Sequence, residues 1–312
     1  MRGRISATPA AAKSLDFNIL QGDPRIVFYH NSRIPVAPPI EAIHPVFASF
    51  VRNATGTDDT FLDAPLVEGV SEMMEQAAEN QELHALLPTV LIRHFESVQA
   101  AEFLSAHGTV AIEIGGRSIA VIVTETVQMW GDGEYSPTTR PQYSTLDLWA
   151  KDTMRPIVNA SCCPTFIIAT TGAWLTILGW AITADVEVVV QPLMDIMWLG
   201  EATPYEDTHV YNVARVFAAL RKSLHDLEAY YRGLALEPTP NTQSPASFPH
   251  PTTFTAADGS EVQFRYLQRL EDNAASVTFL AETVKSGASG IVNKIVVKFV
   301  DRYGADAHRL TE

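Results

Sequence analysis

Hydrophobic and polar positions follow two rhythms along the 312 residues. The clearest is helical. Val210, Val213, Phe217, Leu220, Leu224, Leu227 and Tyr231 recur at steps of three and four, which lays one apolar stripe along a helix over 207–231 that Asp207 could cap. Arg215, Arg221, Lys222, Asp226 and Glu228 fall off that stripe. A looser spacing of Met73, Met74, Ala77, Leu83, Leu86 and Leu87 predicts a helix over 63–87, closed by Pro88, with a second helix over 89–106 ending at His107-Gly108. The other rhythm is extended. The runs 109–114 and 118–128 flank Gly115-Gly116 and predict a β-hairpin, and 25–30 reads as a short strand. Pro35, Pro38, Pro39 and Pro45 hold off regular structure until 44–51, and 131–141 reads as a polar loop.

The stretch 156–184 has no charged residue and is long enough to span a bilayer. Its content favours strands. Pro164 and Gly172 interrupt it, and it is rich in β-branched Thr and Ile. It divides at Thr171-Gly172-Ala173 into strands over 165–170 and 174–183, followed by a third over 187–191. A buried hairpin is the reading; a membrane-associated protein using 156–184 is the alternative.

After residue 232 the chain changes character. Pro238, Pro240, Pro245, Pro249 and Pro251 stand among Thr, Ser, Asn and Gln, which marks 233–254 as a semi-extended linker. Three strand-like runs follow, over 261–270, 277–285 and 291–301, and Gly304-Ala305 opens a helix. The organisation predicted is a disordered tail over 1–20, an α/β domain over 21–232, the linker, and a β-rich segment over 255–312.

Composition narrows the classes. Twenty-two basic against 36 acidic residues give a net charge of −14, which disfavours nucleic acid and anionic membrane as partners. The only two cysteines, Cys162 and Cys163, are adjacent and cannot build a disulfide framework, so an intracellular setting, cytoplasmic or nuclear, is expected. Residues 1–15 carry Arg2, Arg4 and Lys13 and no acid, the charge pattern of a transit peptide, but without its amphipathic period. No zinc spacing, G-x-S-x-G, P-loop or Rossmann fingerprint occurs.

One lysine stands in an apolar strand, Ile295-Val-Val-Lys298-Phe-Val300, where it must reach an anion, solvent or an acid. The run Val277-Thr-Phe-Leu-Ala281 through Ile295–Lys298 and on to Leu310 resembles the fungal-type kinase-like proteins of mushroom-forming basidiomycetes. Asn159–Pro164, Val190–Leu193 and Ala214–Leu220 resemble the region that precedes the kinase-like domain in those proteins. The resemblance implies that 255–312 is a kinase-like first lobe, that Lys298 is the phosphate-contacting lysine, and that Asp306 or Glu312 is its acidic partner. It also implies ATP with Mg²⁺ as the cofactor. Against that, the glycine-rich loop should fall at 271–276, which is Glu-Asp-Asn-Ala-Ala-Ser, and its two acids would repel phosphate. The chain ends without the H-R-D and D-F-G residues of the second lobe. The expectation is a truncated, pseudokinase-like protein with a binding or regulatory role, an unknown protein partner and no catalytic residues.

The helix-then-hairpin order of 89–128 also resembles restriction-endonuclease-like domains. Such sites hold a divalent metal with two or three carboxylates and a lysine. Glu102, Glu113 and Glu125 are the metal candidates, but Val127 stands where that motif wants lysine. The fold class expected is therefore α/β (α+β): a mixed-sheet N-terminal domain, restriction-endonuclease-like, with a β-rich fragment resembling a kinase first lobe. A metal-dependent nuclease is the alternative function.

Overall fold

The computed structural model describes residues 26–28, 38–57, 62–80, 107–127, 138, 140–183, 188–200, 207–236, 248–256, 258–270, 278–284 and 292–299. In chain order the elements are β1 (Ile26–Phe28), α1 (Ile40–Ile43), α2 (Pro45–Thr55), α3 (Ala64–Asn80), β2 (His107–Ile114), β3 (Arg117–Val127) and α4 (Arg140–Ala150). A 3-10 turn then leads to α5 (Arg155–Ala160), β4 (Thr165–Thr171), β5 (Trp174–Ile182), β6 (Val188–Pro192), β7 (Met197–Trp198) and α6 (Asp207–Arg232). The last four are β8 (Thr253–Thr255), β9 (Glu261–Arg269), β10 (Thr278–Thr283) and β11 (Lys294–Lys298). The fold is mixed α+β with two sheets.

The first sheet has seven strands in the order β1-β6-β5-β4-β3-β2, with β7 added to β5. Gly115 and Gly116 both take positive φ, 58° and 73°, the geometry of the tight β2–β3 hairpin turn. Between β3 and β4 the chain crosses over through α4 and α5, so these strands run parallel. Beyond that, β4, β5 and β6 form an antiparallel meander, and β1 closes the edge parallel to β6.

Every residue of β4 is buried, because helices cover both of its faces. On one face Phe166 packs edge-on against Phe47 of α2, with ring centroids 5.3 Å apart, and against Phe50 at 5.4 Å. A Cβ at Gly179, opposite Phe166 on β5, would lie 2.9 Å from Ile40 Cδ1 and 3.1 Å from the Phe47 ring, so glycine lets α1 and α2 sit close. On the other face the Trp149 indole N–H of α4 donates to the Thr165 hydroxyl at 3.1 Å. The apolar stripe of α6 is buried at Val213, Phe217, Leu220, Leu224, Leu227 and Tyr231.

Local chemistry fixes the helix starts. His44 caps α2: its Nδ1 accepts from the Val46 N–H at 3.2 Å, and Pro45 occupies the first turn. Asp63 caps α3 by accepting the Leu66 N–H at 2.9 Å, and its second oxygen accepts from Arg221 of α6 at 2.6 Å.

The fold departs from the sequence pattern at α1, which forms ahead of residue 44, at α4, at β8 and at 248–252. The helix expected over 63–87 is described as Ala64–Asn80, and the one expected over 89–106 lies outside the described residues. α4 forms where the pattern predicts no element; its spacing is irregular and Pro141 sits in its first turn, which masks the period. β8 lies within the predicted linker and its margin. Last, 248–252 is not a spacer: the His250 N–H donates to the Ala42 carbonyl at 2.7 Å and its Nε2 donates to the Glu41 carbonyl at 2.8 Å. Proline content there reflects a strap laid on α1. The tail over 1–20 and the helix expected from residue 304 lie outside the described residues.

The second sheet is an antiparallel meander, β8-β9-β10-β11. One face carries Phe264, Tyr266, Phe279 and Ala281, with Phe248 of the strap stacked on Tyr266 at 5.4 Å and 8°. The other face is open. The apolar stretch 156–184 forms α5 and the β4–β5 hairpin, and among the described residues no helix is long and apolar enough to cross a membrane.

Candidate functional site

Lys298 ends β11, whose burial alternates. Val297 faces inward, opposite Phe279, while Lys294, Val296 and Lys298 face outward, and Val296 is 62% exposed. Lys298 is exposed to solvent. On the same open face Glu282 stands opposite both Lys294 and Arg265, and the Arg265 guanidinium donates to it. Lys298 is four residues from Lys294 along the strand, about 13 Å at the strand rise, so Glu282 does not serve as its acid. Asp306 and Glu312, the acidic partners implied by the kinase resemblance, lie outside the described residues, as do 271–276.

Of the three metal candidates, the two that lie among the described residues do not converge. Glu102 lies outside the described residues. Glu113 is exposed and pairs with Ser118 beside the hairpin turn, whereas Glu125 pairs with His107 at the far end. Seven residues of β3 separate Ser118 from Glu125, about 23 Å along the strand, whereas a divalent ion holds oxygens at about 2.0–2.6 Å. One metal ion cannot use both. Among the described residues no group of three or more His, Cys, Asp or Glu side chains is placed to hold a metal.

Glu125 is nevertheless unusual. It is 2% exposed, with Arg140 Nη1 at 3.5 Å. Burial pushes its carboxyl up to about 8, and Arg140 opposes the rise. The group ties the start of α4 to β3. Beyond it, the Thr170 hydroxyl donates to the Thr126 hydroxyl at 2.7 Å.

Residues far apart in sequence meet at the junction of the two sheets. A cleft of about 710 Å³ opens between the start of α2, the last turns of α6, the strap and β9. Its walls are aromatic. His44 and Tyr230 meet edge to face at 4.4 Å on one side, and Phe248 and Tyr266 stack on the other. Burial, and then the neighbouring His250, hold the His44 ring down at about 3, so it is neutral at physiological pH. Burial also raises the Tyr230 and Tyr266 phenols, which stay protonated; the Tyr266 hydroxyl donates to the Pro251 carbonyl at 2.8 Å. Asp226 brings a carboxylate.

Cys162 reaches the same cleft from the corner Ser161-Cys162-Cys163-Pro164. Cys163 takes φ 51°, a strained value for a side-chain-bearing residue. The corner is held by the Ser161 hydroxyl accepting the Cys163 N–H at 3.0 Å and by the Cys162 carbonyl accepting the Ile182 N–H at 2.7 Å. Burial pushes the Cys162 thiol up to about 12 and Cys163 higher still, so both are protonated, poor nucleophiles.

The chain matches no family model, no curated protein and no solved structure.

Sequence reasoning misses this cleft. Residues 44, 162, 226–230 and 248–266 share no local spacing, and only the fold brings them together. His44-Pro45 at a helix start is the one local signal available, since it places a side-chain acceptor before a proline at the first turn.

Proposed function

We propose that the chain is a kinase-like protein that works by binding rather than by phosphoryl transfer, with the second sheet as a first-lobe-type platform. One observation carries this reading: in a meander of consecutive strands, the last strand turns Val296 and Lys298 outward together, leaving an apolar and a cationic side chain side by side on an open face. That is the alternation a first-lobe lysine strand needs. Among the described residues of that face, Glu282 is already engaged by Arg265. We read this open face, with Lys294, Val296 and Lys298 turned outward, as a surface for a protein partner rather than for ATP with Mg²⁺.

The test is phosphoryl transfer by the full chain given γ-labelled ATP and Mg²⁺. The expected result is neither transfer nor phosphate release above a protein-free control. Transfer that is abolished by Lys298→Ala would overturn the reading.

A further inference from the structure

The junction cleft has a chemical character of its own, separate from the open face that carries Lys298. Its volume, about 710 Å³, is in the range of small-molecule sites rather than packing defects. Among the described residues that line it, Asp226 supplies the one carboxylate, and no lysine or arginine is present. Three of its aromatic rings, Tyr230, Phe248 and Tyr266, are of the kind whose electron-rich faces attract cations. Tyr230 stands one helical turn after Asp226 on α6, which brings carboxylate and ring to within about 5–6 Å at their Cβ atoms. His44 does not oppose a cation with a charge of its own. His44 is neutral and uses Nδ1 to cap α2, and His250 uses Nε2 to hold the Glu41 carbonyl.

Asp226 is available. Its side chain is 48% exposed, and the partner it has, Lys222 at 3.3 Å, is an equally exposed neighbour one turn back on the same helix. Such pairs are weak and exchange readily with solvent. A cation seated among the rings would meet a carboxylate that gives up little to receive it, in a chain whose net charge of −14 favours cationic ligands at longer range.

We propose that this cleft binds a small organic cation, an alkylated ammonium on an apolar or aromatic body. The rings take the alkyl groups and the apolar body, and Asp226 takes the charge. Tyr230 comes from the helix packed on the first sheet, Phe248 from the strap and Tyr266 from the second sheet, so an occupied cleft also clamps the strap.

Isothermal titration calorimetry on the full chain tests this with three probes that share one ring: benzyltrimethylammonium, benzyl alcohol and benzoate. The cation is expected to bind at least tenfold more tightly than the alcohol, with no measurable binding of benzoate. Asp226→Asn, an exposed and conservative change, is expected to weaken the cation about tenfold and leave benzyl alcohol unchanged. Tyr266→Leu should weaken both. Equal affinity for cation and alcohol would overturn the proposal, as would cation binding indifferent to Asp226→Asn. Absence of cation binding at millimolar concentration would overturn it too. Tight binding of benzoate would assign the cleft to anions instead.

Discussion

β4 and β11 are both β-branched, aliphatic strands, yet they end in opposite environments. All seven residues of β4 are buried, because α2 and α4 cover its two faces. β11 exposes Lys294, Val296 and Lys298, because only its inner face meets the aromatic cluster around Phe279. The first sheet is largely core, with Trp174 and Trp198 exposed at its β5–β7 edge, and the second is buried on one face only. Change on the open face of the second sheet should therefore be cheap in stability. Change in the first sheet should not be.

The sharpest way to break this contrast is Phe166→Ala. The ring is fully buried between Phe47 and Phe50, so its loss is expected to cost about 3–5 kcal/mol in urea unfolding. A cost below about 1 kcal/mol would mean that the two sheets are not so different. Gly179→Ala tests the close approach of α1 and α2 to the same sheet. The added methyl meets Ile40 and Phe47 within 3.1 Å, and a loss of about 1–3 kcal/mol is expected by the same measurement.

Buried titratable groups give the contrast a pH signature. Glu125 binds its proton more tightly folded than unfolded, since its carboxyl rises from 4.5 to about 8. Its contribution is therefore complete below pH 4.5 and is lost as pH climbs through about 8. A tenfold difference in proton affinity between the folded and unfolded chain is worth about 1.4 kcal/mol. Glu125→Gln is expected to flatten the upper part of the stability–pH curve and to gain about 1–2 kcal/mol at about pH 8.5. His44 has the opposite sign: its ring falls from 6.5 to about 3, so its contribution is present above 6.5 and is lost as pH falls through about 3. His44→Asn keeps a capping acceptor and should remove that acid-side loss. A variant curve parallel to the parent's in either case would contradict the assignment.

The smaller effects belong to the junction and the platform. His250→Ala removes the imidazole bond to the Glu41 carbonyl, an expected cost of about 1 kcal/mol. It should appear as faster hydrogen exchange at the residue 250 amide, which donates to the Ala42 carbonyl. Lys298→Ala and Val296→Ser lie on the open face and are expected to change stability by less than about 0.5 kcal/mol.

Where pattern and packing agree, the sequence is readable. The stripe from Val210 to Tyr231 forms a buried helix face, and the β-branched content of 165–182 outweighs its length as a spanning segment, giving the β4–β5 hairpin. α4 is not readable, because its buried positions, Tyr143, Thr145 and Trp149 among them, include polar groups that owe their burial to β3 and β4. Proline misleads at 248–252, where it marks a strap that bonds to α1 through the amide and ring of His250 rather than a free spacer. The metal candidates fail on register: Glu113 and Glu125 look close in sequence but sit at opposite ends of one hairpin. The cleft needs the fold, since its carboxylate and its rings come from segments as far apart as α2, α6 and β9.

The central proposal is that the face carrying Lys298 serves binding to a protein partner rather than to nucleotide. Calorimetric titration of ATP with Mg²⁺ into the full chain, repeated with Lys298→Ala, tests it most directly. The account predicts no saturable heat for either protein up to millimolar nucleotide. Saturable binding to the parent chain that disappears in Lys298→Ala would contradict it.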